Sequence, residues 1–541
     1  MSAITSNGQI ESPARLENWR LGGAEGHTPG LTRSANRAAL GGLRFQRLFP
    51  LAARVLFHPG TVAALTVALA ALVSIFSAHY AASVVLLGLI VISVGSERRF
   101  LDFLLLAPNL VAARGALMGG VIGCSYMASG MTEGDSRALL AVQASMIYWL
   151  VVSVLANKLC LRDVPGIRMP WSNSRFNAEC IRPLSVVALA ILTLELLRQV
   201  VGVITGGLDR GLHGNEAAQQ AFGIWTYFSI FPRLTSTAMF LAPVLWRAGK
   251  GPMRLVGLGM VAALLLIGFS TGSRGLFLTP LVYLAVGIYF FLPLRGVPLE
   301  TIAVTAVLAL SPLVLIMANH RTSREFLETP GWDVAARVSG FARAATQAEQ
   351  QYDERSVAHR GRYQFGVQML GVSDSLVYEH TPSDLPYAGF ENFDRILYVW
   401  IPKFIMRDKP YLQDGNDIVV GYTGVFFKRS AATISLLADL YRRFSVPGVL
   451  LGAPLAALIT ALFTRWVFRT MLLRDAVLGI VLLQLLISGF HYEFWGTVLG
   501  SSFDWLYAIP KHLVLIYVLV VGARVLTGSH VARGMLNYSD A

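Results

Sequence analysis

Long apolar runs decide what this chain can become. They recur at roughly 61–78, 80–96, 105–129, 138–157, 184–204, 222–246, 254–270, 275–293, 299–318, 447–468, 475–497 and 508–526. A run of about 20 such residues, wound as a helix, spans a bilayer core and satisfies its own peptide groups there. Composition agrees: 54% of the 541 residues are hydrophobic and 14% are charged. So few charges cannot cover so much apolar surface in water. The expectation is an all-α polytopic membrane protein of about 12 transmembrane helices, with one large external loop between the ninth and tenth spans.

Charge between the runs sets the expected orientation. Arg98 and Arg99 follow the second run, Glu133 and Asp135 the third, and Lys158, Arg162, Arg168, Arg175 and Arg182 the fourth. Asp209 and Glu216 come next, then Arg247, Lys250 and Arg254, and further on Arg465, Arg469 and Arg474. Basic connections thus alternate, which by the positive-inside bias places both termini in the cytosol. Residues 1–48 read as a disordered cytosolic leader without the apolar core of a cleavable signal. Residues 49–318 form a region of about nine spans, 319–446 the external loop, and 447–541 about three spans and a cytosolic tail. The loop holds fifteen Lys or Arg against fifteen Asp or Glu, so the whole net charge of +13 lies elsewhere. In a soluble chain that excess would point to nucleic acid; here orientation accounts for it, and no nucleic-acid partner is expected.

Within the loop, Val334, Val338, Phe341, Ala345 and Ala348 recur at helical spacing and predict an amphipathic helix. Phe393, Ile396, Leu397, Trp400, Ile401, Phe404 and Ile405 form an apolar patch, broken by Pro402, that predicts a re-entrant or interfacial segment. Nucleotide-binding GxxxxGK[ST], zinc-binding HExxH and nucleophile-elbow GxSxG patterns are all missing. No cofactor and no metal are expected: no ligand cluster stands out, and Asp414-Gly415-Asn416-Asp417 reads as a turn. Cys124, Cys160 and Cys180 form no pairing or metal motif and read as apolar fillers.

Cationic residues carry the positive signal. Thr271-Gly272-Ser273-Arg274-Gly275 makes a tight external turn that opens a span, and places Arg274 where free N–H groups and the helix dipole favour an anion. The bland alternative is an arginine snorkelling to the interface. Arg321 and Arg324 leave the ninth span at the same level, and Arg395, Lys403, Arg407 and Lys409 flank the apolar patch. Together they would hold a diphosphate; singly, each reads equally well as a solvated charge. His320, His380, Asp374, Glu379, Asp394, Asp408 and Asp439 are the acid–base candidates. Asp439 stands out because it precedes Tyr441 just before a span.

Three stretches resemble the bacterial O-antigen polymerases, the Wzy-like oligosaccharide repeat-unit polymerases. They are Thr271 to Gly275, Ile401 to Pro410 with its Pro-to-Lys-Pro frame, and Thr433 to Gly452. In the last, Thr433, Ser435, Asp439, Tyr441, Phe444 and Gly448 fall as in the family's Ser/Glu/Tyr/Phe-Gly stretch. Two departures stand out: Asp439 takes the place of a more usual Glu, and Ser445 that of the Gly after Phe444. The resemblance covers under a tenth of the chain. It implies a glycosyltransferase that polymerises undecaprenyl-diphosphate-linked oligosaccharides at the outer face of the bacterial inner membrane. Membrane lipid would be a partner, and a chain-length regulator a further one. Asp439, Arg274 and Arg321 would be catalytic; Arg324, Arg395, Lys403, Arg407, Lys409 and Tyr441 would bind substrate.

An O-antigen ligase would share this chemistry and differ in its acceptor. A lipid-linked oligosaccharide flippase would instead need charges inside the spans, where Arg114, Glu195, Arg198 and Arg233 lie in or near apolar runs. A non-enzymatic membrane scaffold is the remaining class. The orientation has a direct test. A cysteine placed near residue 350 should react with an impermeant maleimide added outside intact cells; reaction only after lysis would reverse the topology.

Overall fold

The computed structural model describes residues 59–74, 78, 81–82, 84–89, 133–164, 179–204, 234–248, 251–270, 274–292, 372–398, 401, 406, 418, 421–422, 434–495 and 497–529. All of them fall in one unit, Phe57–Ala541. Among the described residues every regular element is helical and there is no strand. In order, the α-helices are α1 (Pro59–Ser74), α2 (Glu133–Cys160), α3 (Ile181–Ile204), α4 (Leu234–Ala248), α5 (Pro252–Ser270) and α6 (Arg274–Phe291). They continue with α7 (Val372–His380), α8 (Leu436–Arg469), α9 (Ala476–Trp495), α10 (Val498–Phe503) and α11 (Ile509–Thr527). A 3-10 turn covers Phe393–Tyr398, and π turns at Thr470–Arg474 and Asp504–Ala508 extend α8 and join α10 to α11.

Among the described residues four helical stretches are long and apolar enough to cross a membrane: Arg137–Cys160, Ile181–Gly202, Leu436–Arg474 and Val498–Thr527. Thr61–Ser74, Pro252–Gly268, Pro280–Phe291 and Ala476–Leu486 are shorter apolar helices. The runs at 105–129 and 299–318 and the amphipathic pattern at 334–348 lie outside the described residues. The outer face of the bundle is itself apolar: Leu159, Leu255, Leu451, Val525 and Leu526 are between 70% and 78% exposed. Side chains so placed suit contact with lipid.

Helix directions follow from a few contacts. Tyr148 Oη donates to the Leu450 carbonyl at 2.8 Å, and Arg465 meets Asp163 at 3.2 Å, so α2 and α8 run parallel. Arg247 donates to the Phe291 carbonyl at 2.7 Å, which brings the C-terminal ends of α4 and α6 together. Arg524 bonds Asp475, so the end of α11 meets the start of α9 and the two run antiparallel.

Helix α4 forms the centre. From Leu234 to Leu245 it is buried almost all round, and its Thr235 and Thr237 hydroxyls find their partners inside the bundle, on Glu195 and Gln484. Gly287 of α6 lies directly against it: a Cβ there would sit 2.2 Å from the Phe240 carbonyl oxygen. That approach lets Phe240, Phe290 and Phe291 close into a cluster with ring centroids 5.0–5.8 Å apart.

A charged pair is also inside. Arg198 donates to Glu195 through Nε at 2.6 Å and Nη2 at 2.7 Å, and Gln199 adds a bond to the same carboxylate at 2.8 Å. Thr235 of α4 donates to Glu195 and accepts from Arg198, so the pair also fastens α3 to α4. Of the in-span charges a transporter would use, these two neutralise one another; Arg114 and Arg233 lie outside the described residues. Gly287→Ala should push α6 off α4 and cost about 1–3 kcal/mol. The check is the thermal unfolding midpoint of the detergent-purified protein; an unchanged midpoint would contradict this packing.

Candidate functional site

Helix α8 begins at Leu436, ahead of the apolar run that starts at 447, and bends between the two. Ser435 caps it, its side chain accepting from Ala438 N–H at 3.2 Å. At Ser445 the backbone turns to φ 61° and ψ −157°, a region glycine favours. The break strands the carbonyls of Arg442 and Arg443, because Pro447 has no N–H to return to Arg443. Segment 388–389 supplies the missing donors: Ala388 N–H bonds the Arg442 carbonyl and Gly389 N–H the Arg443 carbonyl, each at 3.1 Å. The fold-back also brings residue 448 onto 440, where a Cβ on Gly448 would lie 2.5 Å from the Leu440 carbonyl oxygen.

Asp439 sits in this bend, fully buried. One carboxylate oxygen accepts from Arg442 Nε at 2.9 Å. The other accepts from Arg443 Nε at 3.1 Å and from Val498 N–H, the first residue of α10, at 2.7 Å. Arg443 reaches on to the Gly389 and Glu391 carbonyls at 3.1 and 2.8 Å and lies over the Phe393 ring, 5.1 Å from its centroid. One carboxylate thereby joins the head of α8, the segment 389–393 and the start of α10.

Tyrosines wall the neighbouring face. Tyr441 stacks on Tyr378 of α7 with centroids 4.4 Å apart and donates to the Thr381 carbonyl at 3.3 Å. Thr381 shares a 2.6 Å hydrogen bond with Tyr422, and Tyr378 a 2.7 Å bond with Ser145 of α2. His380 closes α7, its Nδ1 2.5 Å from Asp384. Asp374, in the first turn of α7, accepts from Ser435 N–H at 2.7 Å beside a narrow crevice also lined by Val142, Met146 and Leu437. Burial pushes its carboxyl from 3.8 up to about 6, while the bonds from Ser435 oppose the rise.

Of the residues expected at the site, Asp439 and Tyr441 come together here. Arg395 lies half-buried in the 3-10 turn next to Phe393. Arg274 is the first residue of α6; its side chain, and Arg321, Arg324, Lys403, Arg407 and Lys409, lie outside the described residues. The sequence reading did not single out Arg442 and Arg443. The signal was present: Asp439-Leu440-Tyr441-Arg442-Arg443 sets two arginines three and four residues past a carboxylate, the spacing that pairs side chains on one helix face. Among the described residues no three His, Cys, Asp or Glu side chains gather as metal ligands. Comparisons with protein-family models, curated proteins and solved structures find no match for this chain.

The raised Asp374 gives a pH test. Folded chain holds this proton more tightly than unfolded chain, so the stabilisation is full below pH 3.8 and is lost as pH rises through about 6. Asp374→Asn should keep the low-pH stability and flatten that slope. Unfolding midpoints between about pH 4 and 7 decide it; an undiminished slope would assign the titration elsewhere.

Proposed function

We propose that the chain polymerises polyprenyl-diphosphate-linked oligosaccharide repeat units by metal-independent glycosyl transfer, at the outer face of a bacterial inner membrane. About twelve spans would hold the 319–446 loop outside, with both termini in the cytosol. A hydroxyl of the acceptor repeat attacks the anomeric carbon of the growing chain. The bond from that carbon to the diphosphate breaks, and the polyprenyl diphosphate leaves with the electron pair. Cations that meet the developing charge on the leaving group lower the barrier. Arg274 and Arg321 take that role, assisted by Arg324, Arg395, Lys403, Arg407 and Lys409.

The observation that carries this reading is the buried Asp439–Arg442–Arg443 network, which fixes guanidinium groups where loop meets span. Preorganised cations there suit an anionic leaving group held at a membrane surface. The three donors on Asp439 give it the geometry of a positioning group. The acceptor proton goes to His380, whose Nδ1 is paired with Asp384, leaving Nε2 to act as base. Tyr441 and its neighbouring rings offer faces on which sugars stack.

Arg274→Ala and His380→Gln should each insert at wild-type levels yet leave only single lipid-linked repeats outside, read by gel analysis of surface polysaccharide. A wild-type chain-length distribution would remove that residue from the mechanism. Repeats held on the cytosolic side of a deletion strain would favour flipping over polymerisation.

A further inference from the structure

Arg442 holds a positive charge that its described surroundings answer only in part. Its side chain is 10% exposed, and its Nε donates to Asp439. Among the described residues no acceptor meets its terminal nitrogens, Nη1 and Nη2. Arg443 differs, because its guanidinium also binds two backbone carbonyls and lies over an aromatic ring. Among the described residues two guanidiniums share this one carboxylate, an excess of one positive charge. An anion that supplied acceptors to Nη1 and Nη2 would meet donors that Asp439 does not reach.

The surroundings narrow the kind of anion. Ala438, one turn before Arg442, packs in a small apolar cluster with Val377, Ile418 and Ile434, and Tyr422 packs against it. The Tyr422 phenol is pushed up by burial, while its bond with Thr381 and the charge of Arg442 pull it back. With Nε tethered, the outer edge of the guanidinium presents two donors in one plane. That fork matches two oxygens of a phosphoryl group.

We propose that Arg442 is an anion-binding residue that grips a phosphoryl oxyanion through Nη1 and Nη2, with Asp439 as its positioning residue. The choice of a lipid-linked diphosphate as the source of that group rests on the function proposed above; the headgroup phosphate of an ordinary phospholipid has the same chemistry.

The test uses the full-length protein in detergent micelles, with inorganic pyrophosphate, farnesyl diphosphate and dioleoylphosphatidylglycerol as probes and potassium chloride as the ionic-strength control. Both diphosphates should raise the unfolding midpoint saturably, and the chloride should not. Arg442→Gln should weaken that binding about tenfold or more, and Arg442→Lys less. Pyrophosphate should also protect Arg442 of the wild-type protein from phenylglyoxal, read by mass spectrometry, which serves if Arg442→Gln does not fold. A response to phosphatidylglycerol equal to that of farnesyl diphosphate keeps the site and assigns it to phospholipid. No saturable response, unprotected Arg442, or wild-type affinity in folded Arg442→Gln overturns the proposal. Loss of Arg442-dependent binding without shortened polysaccharide in cells would sink the polymerase reading and leave the site standing; shortened polysaccharide with unchanged binding would do the reverse.

Discussion

A single buried carboxylate ties the head of α8 to α10 and, through Arg443, to the segment before it. Asp439 accepts from two arginines of its own helix and from the first N–H of α10, while Arg443 passes the link on to the carbonyls at 389 and 391. A buried pair broken on one side leaves an uncompensated charge worth about 3–5 kcal/mol, so the segments it joins are committed to one arrangement. The bend at Ser445 depends on the same connection. Carbonyls that a straight helix would have satisfied are instead met by 388 and 389, and that segment is thereby laid against α8.

Two of the buried charge groups are built differently. Glu195 and Arg198 close on each other with Gln199 and Thr235 filling the remaining positions, which makes a neutral clasp between α3 and α4. At the head of α8 the count among the described residues is uneven, two guanidiniums to one carboxylate. Balanced pairs hold helices together in an apolar medium. The difference directs the functional proposal to the bend rather than to the bundle core.

Of the residues singled out between Thr433 and Gly452, all but Thr433, which lies outside the described residues, have a physical task here. Ser435 caps, Asp439 cross-links, Tyr441 stacks on Tyr378, Phe444 meets Phe390 with centroids 5.0 Å apart, and Gly448 allows the fold-back. Ser445, where that pattern has glycine, sits in a glycine-like conformation, and its hydroxyl accepts from Tyr387 at 3.0 Å. Strain of this kind costs about 1–3 kcal/mol and persists only where the surroundings over-determine it.

Sequence alone determined the helical class and the apolar character of the elements, because in lipid a helix satisfies its peptide groups without help from distant parts of the chain. It also marked Asp439 and Tyr441 as residues worth locating. It could not show that α8 starts ahead of its apolar run and bends at Ser445, since the donors that stabilise that bend come from residues more than fifty positions earlier. Nor could it set Arg442 apart from Arg443: neighbours of the same type and charge read alike until the fold gives one of them two backbone acceptors beyond the carboxylate they share. Tertiary contact made that distinction, through backbone carbonyls at 389 and 391 that no local pattern announces.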